Sequence, residues 1–332
     1  MTETILAWIN RAVIFGTVIM YGALGETLTE KSGNMNLGTP GVMCIGGAAG
    51  FCGVYLYEIH TENPSAFLCI LIGLLFAFIS SALAGTLYCV LTTTLRANQN
   101  VTGLALTIFG SGFAKFIGSY VIPAGTTSVK AIFSNGVFSK RILSLPKLGV
   151  FSSIFLNYGF MMYVAIIIAI LMSVFLKKSH VGLNLRAVGE NPATADAAGI
   201  SVTKYKYVST IIGSGIAGLG GVYYILDYNY GGWSTFAAQS IEALGWLAVA
   251  LVIFAAWRPH NLIWGSYLFG ICYWAFNYIN VFGIKMNTAV MSLLEMIPYV
   301  VTIIVLIISS LRNKRENQPP AHLGMPYFRE DR

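Results

Sequence analysis

One stretch of this chain has the residue types and spacing of a nucleotide-binding turn. GSGIAG places Gly213, Gly215 and Gly218 in a GxGxxG pattern. That pattern cradles a dinucleotide only between a strand and a helix of a soluble βαβ unit. Here it lies inside a long apolar run, so the glycines read as small residues that let two helices approach closely, as do Gly46 and Gly50. No GxxxxGK[ST] occurs, so the chain binds no ATP through a P-loop. His60, His180, His260 and His322 scatter near the ends of apolar runs with no HExxH. Cys44, Cys52, Cys69, Cys89 and Cys272 sit in apolar stretches with no CxxC and read as small packing residues. No residue set for hydrolytic or metal chemistry is visible, and neither a metal nor a cofactor is expected.

Ionisable residues inside apolar runs invite a functional reading. Glu26, Asp227, Glu242 and Glu295 lie near predicted run ends, where headgroup contact is cheap. Lys115, in GFAKFIG, sits in mid-run and is either paired inside a bundle or facing a wet cavity. Asn34, Asn36 and Thr39 offer neutral hydrogen bonds to a polar uncharged solute. The aromatic stretch Tyr223 to Phe236 reads as an external interfacial belt, or as a stacking surface for a ring at the mouth of a pathway.

The elements that position these groups follow from composition. Of 332 residues, 56% are hydrophobic and only 10% charged, with a mean hydropathy of +0.71. Soluble domains carry roughly 25% charged residues, so a soluble enzyme, a disordered chain and a disulfide scaffold are all excluded. Unbroken apolar runs such as 163–176 and 300–309 point to α-helices and not to the alternating strands of a β-barrel. Runs fall at about 5–25, 40–57, 66–94, 101–122, 157–176, 206–226, 240–257, 261–280 and 294–311. The expectation is an all-α integral membrane protein with about nine spans (eight to ten), the first of them a retained span and not a signal peptide. Residues 25–41 are polar and Gly-rich, and read either as a cytoplasmic loop or as a broken helix at membrane depth.

Most of the 20 Lys and Arg fall on one side if the segment 177–206 and the basic tail 312–332 are cytoplasmic. The net charge of +7 then reports orientation and contact with membrane lipids, not nucleic-acid binding. The transmembrane domain spans 1–311, with an external loop at about 123–156 that is long enough for a short helix. Thr126, Thr127, Ser128 and Lys130 in that loop either meet an external partner or form a solvated connection.

The cytoplasmic segment 178–206 is the most informative. In RAVGENPATADAAGI, Asn191 is a good N-cap and Pro192 suits the first helical position. Ala193, Ala195, Ala197 and Ala198 favour a helix over about 192–198, and Gly199 supplies the left-handed residue that ends it. Helices below about 12 residues rarely persist in water alone. Such a capped, Ala-rich helix either docks into a groove of another protein or merely joins two spans.

This segment resembles the cytoplasmic loop of permease subunits of ribose- and nucleoside-type ABC importers. Gly189, Glu190, Asn191, Pro192, Ala195, Ala198, Gly199 and Ile200 fit its pattern. A second stretch, GETLTEKSGNMNLGTPGVM, is similar to the block near the start of the nucleoside-type permeases, through Gly25, Glu26, Glu30, Lys31, Ser32, Gly33, Asn36, Leu37, Gly38, Gly41 and Met43. Pro40 stands where relatives usually carry an acidic residue, and Trp246 replaces a Phe or Tyr in a third block. The resemblance implies a BtuC-like, type II-like fold in the bacterial plasma membrane and no catalytic site. It implies an ABC ATPase as partner, docked at Gly189, Glu190, Asn191, Pro192, Ala195, Ala198 and Gly199. A second homologous permease and an external substrate-binding lipoprotein are also implied. Glu26, Asn34, Asn36, Gly38 and Trp246 are candidate pathway residues for a small solute, with purine nucleosides leading and simple sugars next. The other reading is an ion-coupled secondary carrier for a small polar solute, although its carboxylates would be expected deeper in the spans.

Overall fold

The computed structural model describes residues 2–142, 149–234, 236–278 and 318–328, with a few single positions between 296 and 307. In chain order the helices are α1 (Thr2–Glu30), α2 (Thr39–His60), α3 (Ala66–Cys89), α4 (Gln99–Val121), α5 (Ile132–Phe138) and α6 (Gly149–Phe155). They continue as α7 (Phe160–Lys178), α8 (His180–Glu190), α9 (Pro192–Ala197), α10 (Val202–Tyr223), α11 (Ala237–Phe254) and α12 (Pro259–Tyr278). Five-residue π-helical turns extend α3 over Val90–Thr94 and α10 over Tyr224–Tyr228.

Among the described residues, seven helices are long and apolar enough to cross a membrane: α1 to α4, α7, α10 and α11. They match seven of the nine expected runs. The run at 261–280 coincides with α12, which packs along α1 and is diluted in hydropathy by tyrosines and tryptophans. The run at 294–311 lies outside the described residues, apart from isolated positions.

With no water to exclude between apolar helices in a bilayer, close packing does the joining. The backbones of α1 and α10 cross at Gly25 and Gly213, where a Cβ on either would stand 2.2–2.4 Å from the other's carbonyl oxygen. In the same way α2 meets α4 at Gly41 and Gly110, and meets α10 at Gly46 and Gly218. GSGIAG is therefore helix-packing surface. The outward faces of α3 and α7 present Phe67, Leu71, Leu75, Ile79, Leu83, Ile167, Ile170 and Leu171 to the surroundings, as lipid-facing helices must.

The helices divide the molecule into two ends. One carries the turns 31–38 and 95–98, helices α8 and α9, the turn 255–258 and the tail residues 318–328. Lys31, Arg96, Lys177, Lys178, Arg186, Lys204 and Arg258 all lie at this basic end. At the opposite end the expected loop holds more than one short helix: α5, α6 and a strand, β1 (Ser128–Lys130). β1 pairs antiparallel with β2 (Gly232–Ser234), Val129 facing Trp233. This ribbon corrects in part the reading of 223–236 as an external interfacial belt: Tyr230 and Phe236 are exposed, but Tyr223, Tyr224 and Trp233 are buried. Tyr223 to Leu226 continue the α10 helix into the core, and Trp233 stacks on Phe51 at 5.7 Å between ring centroids. Burying those rings closes the end of the bundle more effectively than leaving them in the headgroups.

Candidate functional site

The candidate residues gather at two levels, the basic end and a polar cluster inside the bundle. α1 runs on to Glu30, so Glu26 belongs to a helix and not to the loop. The chain then turns through Gly33 at φ +88° and climbs back between other elements before α2 starts at Thr39. In this climb Asn34 Nδ2 donates to Thr210 Oγ1 at 3.1 Å, the Met35 N–H donates to Gln99 Oε1 at 2.7 Å, and Thr107 Oγ1 donates to the Leu37 carbonyl at 2.8 Å. Gly38 packs on Leu106, about 10 Å along α4 from its start at 1.5 Å per residue. Of the two readings of 25–41, the structure favours irregular backbone at depth, held wholly by protein as such backbone must be.

Glu26 is fully buried, and Thr39 Oγ1 donates to its Oε2 at the N-terminus of α2. The positive end of that helix dipole is a favourable place for a carboxylate. Glu30, one turn on, accepts from the indole N–H of Trp257. That indole is presented by the α11–α12 turn, where Ala256 and Trp257 both take positive φ (53° and 54°). Asn34 and Asn36 are buried at 0% and 1% exposure. Trp246 is not with them. It lies on the outer face of α11, while its neighbour Gly245 packs directly on Pro40. Of the two readings of Lys115 the structure favours the cavity: exposed on α4, it lines a space of about 220 Å³ with Ser119, Trp233 and Ser234. Glu242 sits part-exposed on the neighbouring α11, one turn from Trp246.

At the basic end α9 forms as its sequence signals require. Asn191 Oδ1 accepts from the Thr194 N–H at 3.0 Å, Pro192 opens the helix, Ala198 caps it, and Gly199 takes φ +80°. The seven expected coupling residues then separate by role. Pro192 and Ala195 are buried, Ala195 in a small cluster with Val188 and Val202. Gly189 lies flat on the 31–33 backbone, where a Cβ would meet the Lys31 carbonyl oxygen at 2.3 Å. Glu190 accepts from the Ala321 N–H at 3.4 Å. The open face of α9 is made of Ala193, Thr194, Ala197, Ala198 and Gly199.

Two further parts of this end were not foreseen. Ser179 caps an 11-residue helix, α8, by accepting from the Gly182 N–H at 2.9 Å; SHVGLNL was the available signal. The tail also folds back as structure. His322 N–H donates to the Gly189 carbonyl at 3.0 Å, Gly324 N–H to the Gly33 carbonyl at 3.2 Å, and Tyr327 Oη to Asp196 Oδ2 at 3.0 Å. The Arg96 guanidinium lies 4.6 Å over the Phe328 ring. Burial and the Lys206 ammonium hold His322 below the usual imidazole range. Burial, then Arg186 and Arg258, lowers the Lys31 ammonium to about 8, against the opposing pull of Glu190 and Glu30.

Spans packed through glycines, a broken entry into α2 around a buried carboxylate, and a capped helix braced on that break define a multi-pass transport permease. The chain belongs to the family described as branched-chain amino acid transport system / permease component, whose model matches residues 7–308. It is 30% identical to a putative glucose ABC transporter permease of Haloferax volcanii, over 79% of this chain and 74% of the relative. It is 29% identical to a nucleoside ABC transporter permease of Lactococcus lactis, over 92% of both chains. A guanosine ABC transporter permease of Bacillus subtilis is 28% identical over 78% of each. No solved structure matches the chain significantly. The protein is thus a multi-pass plasma-membrane permease of the ABC transporter class, as its two specific sequence blocks implied.

Proposed function

We propose that this chain is the membrane permease of an ATP-driven importer for nucleosides or simple sugars. It works with a separate ATPase, a second related permease and an external binding lipoprotein. One observation carries the reading. α9 is a capped helix with an open small-residue face, and the adjoining Gly189 rests on the very turn that leads to Glu26. An ATPase seated on Ala193, Thr194, Ala197 and Ala198 moves α8 with α9. Because the Gly189 contact is backbone on backbone, that movement passes to residues 31–38 without slack. Glu26, Asn34, Asn36 and Gly38 serve as the latch that opens, the Thr39–Glu26 bond breaking as α2 parts from α1.

The outer face of α4 and α11 supports pairing with the second permease. Lys115 is exposed and Glu242 part-exposed on these neighbouring helices, and a charge left against hydrocarbon is costly. A second permease on that face covers them, and the solute passes between the two chains beside Trp246. Nucleosides come first because two of the relatives are named for them.

The test is reconstitution of the chain with a candidate ATPase and second permease in proteoliposomes. ATP-dependent guanosine or glucose uptake, lost when Ala197→Trp blocks the open face, is the expected result. Uptake by the purified chain without any ATPase overturns the reading, as does Asn36→Ala leaving uptake unchanged for the latch.

A further inference from the structure

At the basic end, apart from α9 and the buried cluster, a cavity of about 290 Å³ opens between the end of α7, helix α8, the 31–38 turn and the α11–α12 turn. Lys31, Lys177, Arg186, Arg258, His260 and Ser173 line it. These come from five separate elements, so the fold, and not a run of basic sequence, brings the cations together. The cavity also lies at the first residues of α12, whose dipole presents its positive end there. Two residues with positive φ, Ala256 and Trp257, hold the turn that places Arg258 and Pro259 at its rim.

Such a convergence of cations, Lys31, Lys177 and Arg186 foremost, favours an anion. Their mutual repulsion is visible at Lys31 and at His260: burial sets both, and Arg258 acts against the charged form of each. Glu190 and Glu30 act on Lys31 electrostatically, and each is also bonded elsewhere, Glu190 to the Ala321 N–H and Glu30 to the Trp257 indole. The depth of the cavity narrows the choice of anion. Lys177 is next to last in a 19-residue span and Pro259 opens α12, so the cavity sits where spans leave the membrane, at headgroup level. Basic pockets between spans on the cytoplasmic side suit anionic headgroups.

We propose that this cavity is a binding site for the phosphate headgroup of an anionic phospholipid, held by Lys31, Lys177, Arg186 and Arg258 with Ser173 as hydroxyl donor. The bound headgroup joins α7, α8 and the two turns, and so stiffens the frame against which α9 moves. The lipid site itself does not depend on the transport reading.

Native mass spectrometry of the full chain tests it, after exchange into mixed phosphatidylglycerol and phosphatidylcholine. Wild type retains phosphatidylglycerol preferentially. Lys177→Gln and Arg186→Gln each lower that retention about fivefold, and together about 30-fold, at roughly 1 kcal/mol per cation near the surface. Lys204→Gln removes the same charge from the same end outside the cavity and leaves retention unchanged. Elution as a single species, with unaltered helical content, shows that the variants are folded. Three results overturn the proposal: equal retention of both lipids by wild type, an effect of Lys204→Gln as large as that of Arg186→Gln, or displacement by millimolar inorganic phosphate. The last identifies free phosphate as the occupant. A lipid result of either sign leaves ATP-dependent uptake to be judged separately.

Discussion

Replacing Gly213 by alanine should destabilise the isolated permease, while the same change at Gly112 should stabilise it. At Gly213 the new Cβ would stand 2.4 Å from the Gly25 carbonyl oxygen and 2.5 Å from Thr29 Oγ1. A backbone oxygen cannot rotate aside, so α1 and α10 must separate by about 0.7 Å in an interior packed to crystal density. Overpacking of this kind costs about 1–3 kcal/mol, and the immovable neighbour puts it near 3. Alanine recovers about 1 kcal/mol through helix propensity. The net loss is about 2 kcal/mol, roughly a 30-fold fall in the folded-to-unfolded ratio at 1.4 kcal/mol per tenfold. Gly112 is exposed on α4 with nothing within 4 Å of an added Cβ. There only propensity acts, and the gain is about 0.5–1 kcal/mol. Unfolding of both variants in detergent, followed by circular dichroism, reads the two signs against wild type. A neutral Gly213→Ala, or a Gly112→Ala that is equally damaging, refutes the view that close backbone crossings hold this bundle together.

Asn191→Ala removes the cap of a six-residue helix and should cost about 1 kcal/mol; co-purification with an ATPase should weaken before the permease's own unfolding midpoint moves far. Tyr327→Phe deletes the bond to Asp196 at a cost of about 1 kcal/mol, and protease cleavage in the tail should quicken while the spans stay intact. Thr39→Val takes a donor from the buried Glu26 carboxyl and should cost about 1–3 kcal/mol; Glu26→Gln in the same background should recover part of the loss, and a cycle with no coupling rules the bond out. Lys31 binds its proton less readily when folded, near 8 against 10.5 for the free side chain. The unfolded chain therefore holds more protons between those values, and stability should rise with pH across that window. Lys31→Gln should flatten the rise, as read by unfolding midpoints at pH 7.5 and 10.

Helix α9 was legible in the sequence because its signals are local: Asn191, Pro192 and Gly199 act within one turn of themselves. The spans were legible for the same reason, since an apolar run of about 20 residues needs no partner to declare itself. What the residues around α9 do was not legible. Glu190 reads as a partner-facing charge, yet it meets Ala321, far along the chain. Ala195 reads as a docking residue, yet its face is turned inward by Val188 and Val202. The aromatic run 223–236 was legible only in part: Tyr230 and Phe236 are exposed as expected, but burying Trp233 depends on pairing with Val129. Trp246 and Glu26 share a family pattern without sharing a location. Periodicity fixes which elements exist, whereas the partner of each side chain is set by contacts distant in sequence.

The tail residues that lie between Gly189 and Gly33 carry a consequence for biogenesis. Gly33 is synthesised long before Gly324, whose N–H its carbonyl accepts. Until the ribosome has delivered that late segment, two backbone carbonyls at the basic end stand open to water or to chaperones. Contacts of such sequence separation form slowly, because so long a loop must close first. This part of the basic end therefore forms only after residues 318–328 have been made.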